Sequence, residues 1–94
     1  MWWAVVEEQR GGGEARTWAV TKTKPAGGDR DHADAVARRL AFEHEPVHPS
    51  PVKGRKVLRV TDGYLVLVEG RTSTFHFRVT LGETVTGPEE TELA

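Results

Sequence analysis

Apolar and polar residues along the chain repeat with two different periods. Residues 73–81 alternate most cleanly. Phe75, Phe77, Val79 and Leu81 fall on one side and Thr74, His76, Arg78 and Thr80 on the other, as in a strand with one buried face. Residues 15–24 also alternate, setting Trp18, Val20, Lys22 and Lys24 against Thr17, Ala19, Thr21 and Thr23. Trp2-Trp3-Ala4-Val5-Val6 and Tyr64-Leu65-Val66-Leu67-Val68 do not alternate, so strands over 2–8 and 64–69 carry apolar groups on both faces. Residues 55–61 complete the strands.

Between these runs one segment repeats at the helical period. Ala33, Val36, Ala37, Leu40 and His44 share a face, with Ala35 and Phe42 opposite. Asp29 or Asp31 suits the N-cap, Asp34 favours the first-turn dipole, and Pro46 stops the helix near Glu45. The stripe is narrow and its residues small, so the helix is expected to lie close on a sheet.

Turn signals set the order of these elements. Arg10-Gly11-Gly12-Gly13 links the first two strands as a hairpin, and Pro25-Ala26-Gly27-Gly28 precedes the helix. Pro46, Pro49, Pro51 and Gly54 make a stiff return to the sheet. Asp62-Gly63 suits a type I′ hairpin, and Gly70-Arg71-Thr72 turns the chain again. The expected fold is α+β: a sheet of about five mainly antiparallel strands, in the order ββαβββ, with one helix on one face. Residues 1–82 form the single domain and 83–94 an acidic, flexible tail.

Composition narrows the classes. Ninety-four residues support one modest core, and the absence of cysteine removes disulfides and thiolate metal sites. No apolar run approaches the roughly 18 residues of a membrane span. The start lacks the basic residues of a signal peptide, so a soluble, unexported, cytoplasmic protein is expected. Nine Arg against four Lys, with no Ile or Asn, points to a high-GC bacterial genome. Net charge is −1, but residues 15–28 carry +3 and 46–81 carry +4, against −2 over 29–45 and −4 over 82–94. Basic charge thus falls on the strands and acidic charge on the helix and tail.

Catalytic and metal-binding patterns are weak. The glycines at 11–13 precede a strand, with no Gly-Lys-Ser/Thr and no following helix to receive a phosphate. Asp29, Asp31, His32 and Asp34 lack the central Gly and late Glu of a calcium loop and serve as helix-start residues. Pro46 separates His44 from His48, so they cannot share a helical face as zinc ligands. His76 has no nucleophile on a recognisable elbow, since Ser50 sits among prolines and Ser73 three residues away. No enzyme, cofactor or metal site is expected.

Two binding functions remain. A helix covers one sheet face, so apolar side chains on the other need a cover. Residues 46–54 or the tail, with Phe42 as a clasp, would supply it from within. Otherwise a protein partner or a second copy of the chain does so. The expected interaction surface comprises Trp3 (or Trp2, according to register), Tyr64, Val66 and Val68, rimmed by Arg59, His76 and Arg78, in a non-catalytic, self-associating module. Nucleic-acid binding by Lys22, Lys24, Lys53, Arg55, Lys56, Arg59, Arg71 and Arg78 is the other reading, although the regular Phe positions face the core and offer no stacking platform.

Overall fold

A computed structural model of the chain describes residues 1–10, 17–46, 52–71 and 74–85. Strands β1 (Trp2–Arg10) and β2 (Thr17–Pro25) precede helix α1 (Arg30–Glu43). Strands β3 (Gly54–Val60), β4 (Gly63–Glu69) and β5 (Thr74–Glu83) follow it. They form one antiparallel sheet in the order β2-β1-β5-β4-β3, with β2 and β3 at the edges. The ββαβββ order and the single helix agree with the expectation. The chain enters the sheet beside its centre, and β5 returns to pair with β1.

The helix starts where its cap residue indicates. Asp29 is the N-cap, and its carboxylate accepts from the His32 amide at 2.8 Å. Ala33, Ala37 and Ala41 are fully buried along one stripe, with Leu40 beside them. Their short side chains let α1 lie close on β1, β4 and β5, where Ala4, Val6, Tyr64, Val66, Val68, Phe77, Val79 and Leu81 complete the core. His44 follows as the C-cap, its ring edge-on to Phe77 at 5.1 Å between centroids.

Register departs from the sequence reading in two strands. In β2, Val6 pairs with Lys22 and Glu7 with Val20, leaving Thr21 as the extra residue of a bulge. The bulge reverses the alternation, so Lys22 and Lys24 lie on the helix side rather than beside Trp18 and Val20. In β4, Tyr64, Val66 and Val68 pair with Val79, Phe77 and Phe75, and they are 3%, 0% and 0% exposed beneath the helix. They belong to the core and not to the open face. Arg59, opposite Tyr64, is likewise on the helix side.

Trp2 packs against the core and beneath the Arg30 guanidinium, whereas Trp3 pairs with Gly82 on the open side. Phe42 is half exposed on the outer side of the helix under Arg38, so it clasps nothing over the open face. β5 continues to Glu83, which pairs with Trp2. The loop at 11–16, residues 47–51 and the acidic segment from 86 lie outside the described residues. Among those described, no helix is long and apolar enough to cross a membrane.

Candidate interaction face

Cross-strand pairing builds the face opposite the helix row by row. Its middle row runs Val20, Glu7, Arg78, Leu65 and Leu58 from β2 to β3. The row on one side carries His76, Leu67 and Lys56, and the row on the other carries Val5, Thr80, Gly63 and Val60. Leu58, Val60 and Val20 are exposed at 37%, 47% and 59%, while Leu65, Leu67, Trp3 and Val5 are half-buried. Among the described residues no segment crosses this face. Trp3, His76 and Arg78 lie on this open side together with Leu58, Val60, Leu65 and Leu67, whereas Tyr64, Val66 and Val68 lie on the helix side.

Glu7, Arg78 and Trp3 on this face each have a hydrogen-bond partner. Arg78 donates Nε to Glu7 Oε1 at 3.0 Å and Nη2 to Oε2 at 3.3 Å, a two-point contact. Its guanidinium also lies 4.2 Å from the centroid of Trp18, whose ring meets His76 edge-on at 5.1 Å. Trp3 donates its indole N–H to Thr84 Oγ1 at 2.7 Å. The Glu7–Arg78 pair thus neutralises charge at the centre of the face, with aliphatic side chains on the β3–β4 side. Beside it, a cleft of about 590 Å³ opens between Lys56, Leu67 and Arg71.

Two polar clusters sit on the helix side. The Tyr64 hydroxyl donates to Asp34, 3.0 Å from each carboxylate oxygen, and Arg59 Nη1 lies 3.4 Å from Oδ1. Burial, and then the Asp34 carboxylate, raise the Tyr64 pKa above its ordinary 10.0. At the other end of the helix, Glu8 is buried, accepting from Thr21 Oγ1 at 2.6 Å with His44 Nε2 at 3.2 Å. Arg55 Nη1 donates to the carbonyls of Ala41 and His44 at 3.0 Å each, and Nη2 reaches Glu45 at 3.6 Å. These last carbonyls end a helix, where four acceptors lack an intrahelical donor.

In the second cluster the Thr21 hydroxyl and the His44 ring both face the Glu8 carboxylate. Thr21 bonds the carboxylate rather than the imidazole, so His44 is not poised to activate it. Among the described residues no three His, Asp or Glu side chains are grouped to hold a metal ion. Both clusters instead bind the helix to the sheet, leaving the open face as the surface with unassigned apolar area. Compared with protein-family models, with curated proteins and with solved structures, the chain finds no match in any of the three.

Proposed function

We propose that this chain is a non-catalytic interaction module of the cytoplasm that self-associates face to face through the open side of its sheet. The observation that carries this reading is the aliphatic group Leu58, Val60, Leu65 and Leu67 on a face that no described segment covers. A sheet with apolar side chains on both faces needs a layer on each, and α1 supplies one.

A second copy fits this requirement. Five strands about 4.8 Å apart and seven residues of about 3.3 Å give a footprint near 550 Å². Two copies would bury on the order of 1,100 Å², at the low end of specific interfaces, which corresponds to a weak dimer. Net charge of −1 gives little self-repulsion, and the Glu7–Arg78 pair neutralises the centre. Two such sheets stack about 10 Å apart as a sandwich, with the same patch on both copies.

Nucleic-acid binding ranks below this reading because the cations are engaged or dispersed. Arg55 and Arg78 are held by carboxylates of the same chain, and Arg59, exposed beside Asp34, stands on the opposite side of the sheet from Arg78 and Lys56. Lys22 and Lys24 lie on one sheet edge, Lys53 and Lys56 at the other. The test is solution mass by sedimentation across a concentration series. Mass should rise toward that of a dimer in the micromolar range; a constant monomer mass up to high micromolar concentration overturns the proposal.

A further inference from the structure

The two edges of the sheet differ in how well they resist another strand. β2 contains the Thr21 bulge, ends in Pro25 and projects Lys22 and Lys24, features that deter edge-to-edge pairing. β3 has neither bulge nor proline. Each residue from Gly54 to Val60 pairs one-to-one with β4, and among the described residues its outer side meets no strand. A regular strand of this kind carries backbone N–H and C=O groups directed outward in a repeating pattern.

Side chains along that edge define what fits it. Residues 53–60 contain Lys53, Arg55, Lys56 and Arg59 and no acidic residue. Arg55 is held by two helix carbonyls and Glu45, so it acts as scaffold. Lys56 is exposed on the open side. The Arg59 side chain is 67% exposed on the helix side, and its contact with Asp34 is long at 3.4 Å. Leu58 and Val60 are exposed beside Lys56 on the open side.

We infer that the free edge of β3 is a docking site for an acidic, extended peptide segment, which adds to the sheet as a sixth strand. Backbone hydrogen bonds supply most of the affinity in this mode, and alternate side chains supply selectivity. An antiparallel segment continues the pattern of the sheet. From its N-terminus it would present an apolar residue to Val60, an acidic one to Arg59, an apolar one to Leu58, and an acidic one to Lys56 after one intervening residue. A second β3 edge is a poor occupant because it would bring like charges together. The face-to-face pair leaves the outward backbone groups of β3 free, although Leu58 and Val60 border both surfaces.

The probe is the end-blocked peptide Val-Glu-Val-Thr-Glu-Thr, titrated into the isotopically labelled full chain and followed by amide NMR shifts. Saturable shifts confined to β3 and its neighbours on β4 are expected at low salt, with affinity falling as salt is added. Lys56→Glu should weaken binding roughly fivefold, the size of one solvent-facing ion pair of about 1 kcal/mol. Changing the facing peptide Glu to Lys should restore it, and Lys22→Glu on the other edge should change nothing. No shifts at millimolar peptide would overturn the inference. So would equal binding of Val-Lys-Val-Thr-Lys-Thr, or shifts centred on β2 or the open face.

Discussion

Tyr64 and Asp34 join the sheet to the helix through one buried hydroxyl that donates to both oxygens of a single carboxylate, at 3.0 Å each. Tyr64 is 3% exposed and lies on β4, while Asp34 lies in the second turn of α1, one turn past the first-turn Asp31. A phenol in that position is apolar core along its ring and a polar anchor at its tip. The same contact accounts for the orientation of Arg59, whose guanidinium stacks 5.2 Å from the Tyr64 ring centroid.

Tyr64→Phe should therefore cost about 1–2 kcal/mol, the worth of a hydrogen bond to a charged acceptor that is itself half-buried. The pH dependence has a definite sign. Because the folded pKa is raised, the fold favours the protonated phenol, so its contribution is full below about pH 10 and is lost as pH rises through the folded value. Denaturation at pH 8 through 11 should show a steeper alkaline loss for the natural chain than for the Phe variant. Parallel curves would remove Asp34–Tyr64 as the cause.

Adjacent positions on β4 should respond to different degrees. Val66 is fully buried and Leu67 half-buried on the other face. Val66→Ala should destabilise the monomer by roughly 2–3 kcal/mol, and Leu67→Ala by less than about 1 kcal/mol. Urea unfolding at dilute concentration decides it; equal costs would place both side chains in one core.

Leu65 lies beside Arg78 in the middle row of the open face. Leu65→Glu gives that guanidinium a second carboxylate within one protomer but buries two like charges between copies. The variant should fold normally by circular dichroism, yet remain monomeric at concentrations where the natural chain associates. Unchanged association would remove this face as the interface.

Gly63 allows β4 to start. Its φ is +151°, and a Cβ there would lie 1.9 Å from the Val79 carbonyl oxygen. Gly63→Ala should cost at least about 2 kcal/mol, from backbone strain plus displacement of β5. Gly28→Ala, where a Cβ meets nothing within 4 Å, is the control and should change stability little. Thermal unfolding of the two variants side by side gives the comparison.

The elements and their order were legible in the sequence because they depend on local chemistry. Asp29 or Asp31 announces the helix start, Ala33, Ala37 and Leu40 its buried stripe, and the alternation from Phe75 to Leu81 the core strand; Ala41 joins the stripe only in the structure. The excess of apolar side chains on β1 and β4 was also legible, since it shows in their lack of alternation.

Tertiary structure alone decided which side chains make up the open face. A three-residue turn at 70–72 would pair Glu69 with Ser73 and set Tyr64, Val66 and Val68 beside His76 and Arg78. The observed ladder pairs Glu69 with Thr74, one position later. In a structure of period two, one residue exchanges the faces, moving Leu65 and Leu67 outward and Tyr64, Val66 and Val68 under the helix. The Thr21 bulge has the same effect on the lysines of β2. Composition specifies how much apolar surface a strand carries, but the pairing of neighbouring strands determines where that surface points.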